Sequence, residues 1–171
     1  MAELEAQIAQ LIREYQDKTG KLLTIGTVES ATGGQIADRI TNVPGSSDYF
    51  RGAMVAYSNE VKTAVVGVKK ATLEDYGAVS EQTALEMARG GRRLLHVDIC
   101  ISDTGIAGPS GGTPPKPVGL FYLGLAAEDT GFSQTHTFPG NREGNKLDAT
   151  EAALNMLKEY LLRYTKPSSR R

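Results

Sequence analysis

A chain of 171 residues with 19 Lys and Arg against 20 Asp and Glu carries a net charge of −1, which is no footprint for nucleic acid or an anionic membrane surface. One Cys rules out an internal disulfide, and one Cys with two His cannot build a Cys/His zinc cluster of the usual spacing. The length suits one domain over residues 1–165 followed by a basic tail, 166–171, expected to fray.

The opening MAELEAQIAQ is acidic and polar, unlike a signal peptide. No apolar run approaches the ~20 residues of a bilayer span. The expectation is a cytoplasmic protein. In residues 2–18, Leu4, Ile8, Leu11, Ile12 and Tyr15 share one helical face, and Gly20 is a natural stop. Leu22 to Val28 reads as a buried strand that runs into Glu29-Ser30-Ala31-Thr32-Gly33-Gly34 and then a short helix with Ile36 and Ile40. Pro44-Gly45-Ser46-Ser47 is turn chemistry. Ala53 to Tyr57 reads as a second strand, which Asn59 to Lys62 leaves.

A short helix near Leu73 ends at Gly77, and Ser80 caps a helix from Glu81 to about Leu95. Val97 to Ser102 is a third strand, Gly105 to Pro117 a Gly/Pro loop, and Val118 to Ala126 and Phe132 to Phe138 are two further strands. The last helix starts near Glu143 and lines Leu147, Leu154, Leu157, Leu161 and Tyr164 along one face. Strands alternating with helices predict a three-layer α/β/α sandwich. The short link between the fourth and fifth strands predicts a hairpin, so the sheet is expected to be mixed.

Chemistry is expected at the strand ends, where ligands bind in open α/β sheets. Ser30 sits where a buried strand turns into a helix, and Gly33 and Gly34 let a ligand approach the backbone. Two roles stand open for the hydroxyls of Ser30 and Thr32, capping the helix or meeting a ligand. Lys62 follows a strand end rich in Tyr57, Ser58 and Asn59. A Lys held in a dry cleft titrates low enough to act as a general base, and a Ser–Lys pair replaces Ser–His–Asp in some hydrolases. The Gly105–Gly112 loop can form an anion nest, but it has neither the Walker pattern nor a Rossmann fingerprint. Arg142, before the last helix, can fork onto a phosphate or carboxylate. His96 and His136 read as structural, and Cys100 as a buried small hydrophobe.

In order along the chain, the Glu29–Gly34 segment, Pro44-Gly45-Ser46-Ser47, Phe50-Arg51-Gly52, Val55-Ala56-Tyr57-Ser58-Asn59-Glu60 with Lys62, Gly77-Ala78-Val79-Ser80, Thr104-Gly105-Ile106-Ala107-Gly108-Pro109 and Lys116-Pro117-Val118-Gly119 resemble the C-terminal domain of the CinA competence/damage-inducible family. The resemblance covers roughly residues 8–164 and is to its nicotinamide mononucleotide deamidase branch, in a stand-alone form. It implies hydrolysis of the carboxamide of that nucleotide to nicotinate mononucleotide and ammonia, with no metal or other cofactor, in a homo-oligomer taken to be a dimer. Ser30, Lys62, Tyr57 and Ser47 would be catalytic, with Ser47 either relaying the proton or serving as the nucleophile itself. Thr32, Gly33, Gly34, Ser46, Asn59, Thr104, Gly105, Gly108 and Arg142 would bind substrate, the N–H groups near Gly33 and Gly34 holding the oxyanion. Ala31 stands where the family commonly has Cys. An amidase acting on another amide, or a nucleotide-binding protein without catalysis, is the alternative.

Overall fold

The computed structural model describes residues 3–165; the predicted basic tail lies outside them. In chain order the elements are α1 (Leu4–Thr19), β1 (Ile25–Glu29), α2 (Gln35–Thr41), β2 (Phe50–Val55), α3 (Asn59–Val61), α4 (Lys70–Tyr76), α5 (Glu81–Leu95), β3 (Ile99–Gly105), β4 (Leu120–Ala126), β5 (Gly131–Thr137) and α6 (Arg142–Thr165). The five strands form one mixed sheet in the order β2–β1–β3–β4–β5. β2, β1 and β3 run parallel, β4 runs antiparallel to β3, and β5 runs antiparallel to β4.

The expected sandwich is present. Helices α1, α2 and α6 cover one face around Ile8, Ile12, Ile36, Ile40, Leu154, Leu157 and Leu161. Helix α5 covers the other face, where Met87 packs with Val28 and Cys100. It lies unusually close to the sheet: a Cβ on Gly91 would stand 2.3 Å from Val28 Cγ2 and 2.6 Å from Cys100 Sγ. Gly90 plays the same part against the turn after α3, where a Cβ would meet the Val66 carbonyl oxygen at 2.0 Å. These two glycines serve packing rather than ligand contact.

Several boundaries shift from the sequence reading. β1 starts three residues later than Leu22 and includes Glu29, whose side chain is fully buried. β2 begins at Phe50, ahead of the expected Ala53, because its ladder with β1 starts at Ile25↔Phe50 and ends at Glu29↔Val55. β3 runs on through Ser102, Asp103 and Thr104, all buried and paired with β4. Leu147 is exposed, lying just outside the buried arc of α6. The segment expected merely to leave β2 instead forms α3 and a wide turn over Lys62–Val66. The predicted stops at Gly20 and Gly77 and the Ser80 cap are present, with the Ser80 hydroxyl accepting the Thr83 N–H at 3.1 Å.

The chain crosses from β1 to β2 over one face through α2, and from β2 to β3 over the other through α5. The reversal leaves a crevice at the carboxyl ends of β1 and β3. Ser30 and Thr104 meet there.

Candidate active site

Among the described residues Lys62 is the most buried cation, 1% exposed. It reaches that position because Ser58 caps α3, accepting the Val61 N–H at 3.2 Å, and the following wide turn folds Lys62 back under the end of β2. A local widening of a helix of this kind is frequent at functional sites. The Lys62 amine lies 3.0 Å from Ser30 Oγ, 2.8 Å from the Ala56 carbonyl oxygen and 3.0 Å from the Tyr57 carbonyl oxygen. Burial holds its pKa below the usual lysine range, a shift that an ionised Asp103 would oppose.

The Ser30 turn is fastened by two buried carboxylates. Asp103 accepts the N–H groups of Ser30 at 3.0 Å and Thr32 at 3.1 Å. Glu29 accepts the N–H groups of Gly34 at 3.1 Å, Ile36 at 2.9 Å and Ala37 at 3.0 Å, so its side chain, not Ser30 or Thr32, caps α2. Thr27 adds a hydroxyl donor at 3.0 Å. Burial pushes the Asp103 carboxyl up to about 6, Glu29's charge acting in the same direction, while hydrogen bonds from Thr32 and from the Ser30 backbone act against it.

Ser30, Ala31, Tyr57, Asn59, Lys62, Thr104, Gly105 and Arg142 line one cleft of about 210 Å³, together with Ala78, Val79 and Ala107. A second hollow of about 520 Å³ adjoins it, sharing Ala107 and Arg142 and lined further by Gly108, Pro109, Asn141 and Glu143. Arg142 bridges the two regions by donating to the Gly108 carbonyl at 2.8 Å and the Tyr57 hydroxyl at 3.2 Å. Asn145, fully buried, ties the Gly-rich loop to the start of α6, donating to the Ala107 carbonyl at 3.0 Å and accepting the Gly140 N–H at 2.9 Å.

Other expected site residues lie elsewhere or do other work. Ser46 and Ser47 precede β2, which runs parallel to β1, so they stand at the opposite end of the sheet from Ser30, about 15 Å away along the strands. Within one chain Ser47 neither relays a proton to Lys62 nor replaces Ser30. Thr32 is fully buried between Glu29 and Asp103 and faces no cleft. The Gly33 N–H donates to the Ser30 carbonyl at 3.1 Å and that of Gly34 to Glu29, so neither is free for an oxyanion. In the turn from Ser30 to Gly34, the Ala31 N–H is the one left without a partner among the described residues. The Thr104 hydroxyl is taken by the Ala78 carbonyl at 2.7 Å. The Tyr57 side chain points to Arg142 and meets Lys62 only through its own backbone carbonyl. The sequence reading gave no role to Glu29, Asp103 or Asn145; acids placed inside apolar strands were the available signal for the first two.

With this geometry in hand, comparison with known proteins places the chain. The model of the CinA C-terminal domain matches residues 2–161. The chain belongs to the CinA C-terminal domain family. Among its relatives, a putative competence-damage inducible protein of Halothermothrix orenii is 52% identical over 152 residues, covering 85% of this chain and 37% of that protein. A CinA-like protein of Leptospira borgpetersenii is 50% identical over 145 residues, covering 84% of this chain and 34% of its own length. The chain thus spans about a third of the length of the curated relatives it matches. The crystal structure of the competence/damage inducible protein CihA from Agrobacterium tumefaciens superposes with a TM-score of 0.82 at 35% identity, covering 95% of this chain and 97% of that one. The competence damage-inducible protein A (ComA) of Klebsiella pneumoniae gives 0.85 at 28%, covering 95% and 99%. Among the described residues of this CinA-family chain no helix is long and apolar enough to cross a membrane, and no group of His, Cys, Asp and Glu is placed to hold a metal ion.

Proposed function

We propose that this CinA-family chain is an amidohydrolase that deamidates nicotinamide mononucleotide through a Ser30–Lys62 pair. One observation carries the reading: a fully buried Lys62 amine stands 3.0 Å from Ser30 Oγ with two backbone carbonyls as its other neighbours. In the neutral amine the two N–H groups donate to those carbonyls, and the lone pair is left facing the Ser30 hydroxyl. No histidine is needed, and neither His96 nor His136 lines the cleft.

In this reading Ser30 Oγ attacks the carboxamide carbon as its proton passes to Lys62. The Ala31 N–H, next to the nucleophile, is the donor for the resulting oxyanion. The Lys62 ammonium then protonates the departing nitrogen, and ammonia leaves. Water attacks the nicotinoyl ester of Ser30, again losing its proton to Lys62, and nicotinate mononucleotide is released. The 210 Å³ cleft suits a pyridine ring alone. The ribose and phosphate extend past Arg142 into the adjoining hollow at Gly108 and Asn141. Cytoplasmic pyridine nucleotide salvage is the setting that this reaction fits.

A homodimer belongs to the same reading. It is supported by the outer edge of β2, which no described strand pairs, and by exposed Val55 and Tyr57 at its end. Light scattering is expected to give twice the chain mass; a monomer at micromolar concentration counts against it. The activity is tested by ammonia release from nicotinamide mononucleotide beside nicotinamide and glutamine. Preference for the nucleotide supports the reading, preference for another amide moves the substrate, and calorimetric binding with no ammonia leaves a binding module.

A further inference from the structure

The Thr32 hydroxyl lies 2.7 Å from Glu29 Oε1 and 2.5 Å from Asp103 Oδ1. All three side chains are fully buried. A hydroxyl has one hydrogen and can donate to only one of two carboxylates. With both acids ionised, the other contact sets a lone pair against a carboxylate oxygen, without a proton between them, in a dry interior. Such an unbridged contact costs far more there than in water. The arrangement closes if one acid carries a proton. Glu29 is the better anion: it accepts three N–H groups at the start of α2 and the Thr27 hydroxyl. Asp103 accepts two backbone N–H groups.

We infer that Glu29, Thr32 and Asp103 form a hydrogen-bonded chain holding one proton on Asp103 at neutral pH, and that neutral Asp103 is a positioning residue for Ser30 and Lys62. Asp103 donates to Thr32, and Thr32 donates to Glu29. The ionisable groups facing Asp103 are Glu29 from β1 and Lys62 from the turn after α3. The largest influence drawing the Asp103 carboxyl down is the Thr32 hydroxyl. With that hydrogen committed to Glu29, this downward pull on the Asp103 carboxyl is lost. A negative Asp103 favours the ammonium form of Lys62; a neutral one leaves the amine its lone pair. The role toward Lys62 rests on the Ser–Lys reading above, whereas the proton itself does not.

The proton is read by infrared spectroscopy of the full chain. Wild-type protein at neutral pH is expected to show the C=O stretch of a protonated carboxylic acid, which surface carboxylates lack, and Asp103→Asn is expected to lose it. A wild-type spectrum without that band at neutral pH overturns the inference, whether or not the variant folds; so does a band that survives in folded Asp103→Asn. A kinetic arm reads the coupling. Asn imitates the neutral acid, so the Lys62 limb of the pH–rate profile should stay where it is in wild type. A fall of that limb by about one pH unit in Asp103→Asn means that Asp103 was ionised, and overturns it. The infrared result stands even if the substrate is another amide.

Discussion

Lys62 has no carboxylate among its hydrogen-bond partners; it is held by two carbonyls and a serine. A lysine kept for stability alone would gain from an acidic partner or from reaching water. Lys62→Met keeps the apolar stem and removes the amine, and is expected to slow ammonia release about a thousandfold while leaving the fold intact by circular dichroism. The same residue gives a pH signature. Its folded pKa lies below its unfolded value of roughly 10.4. Between the two, the unfolded chain therefore binds more protons, and stability rises with pH through that window. Denaturant melts should show the wild type gaining on Lys62→Met as pH rises from neutral to about 10; parallel curves would mean that Lys62 titrates normally. At this scale the sequence exposed Ser30 and Lys62, because a hydroxyl at a strand end and a lysine after a Tyr-Ser-Asn strand end are local signals. It hid Thr32's place between two acids, since nothing local says that Asp103, 71 residues away, will arrive beside it.

Helix α5 and the wide turn at Lys62–Val66 are locked together at Gly90, where there is no room for a Cβ against the Val66 backbone. Gly90→Ala is expected to destabilise the chain by about 1–3 kcal/mol in denaturant melts. Because Val66 belongs to the turn that carries Lys62, activity should fall beyond what the unfolded fraction explains. The start of α6 governs the other side of the cleft. Arg142→Ala removes the bridge between Tyr57 and Gly108. It should raise KM for the nucleotide on the order of tenfold, with kcat changed less. A loss confined to kcat would instead place Arg142 at the reacting centre. Most helices were legible from periodicity and caps, as at Gly20, Gly77 and Ser80. The exit from β2 was not: Asn59 to Lys62 has no apolar periodicity, and its turns are set by the Ser58 cap and by the seat awaiting Lys62.

Across the whole molecule, alternation of strands and helices told the layered class, and the short link after β4 told that the sheet is mixed. The strand order was beyond it. β1 lies between β2 and β3 only because successive crossovers take opposite faces, and that reversal opens the crevice holding Ser30. The parallel pairing of β1 and β2 also separates Ser46 and Ser47 from Ser30, although the motifs are close in sequence. The glycines divide in role: Gly90 and Gly91 bring α5 onto the sheet, while Gly105 and Gly108 line the clefts. The central claim, that Ser30 and Lys62 hydrolyse the carboxamide of nicotinamide mononucleotide, meets its most direct test in ammonia release by purified wild type, Ser30→Ala and Lys62→Met measured side by side. Steady release by wild type with at least a hundredfold loss in each variant is the expected result. Release within tenfold of wild type in either variant, or none from wild type, would contradict it.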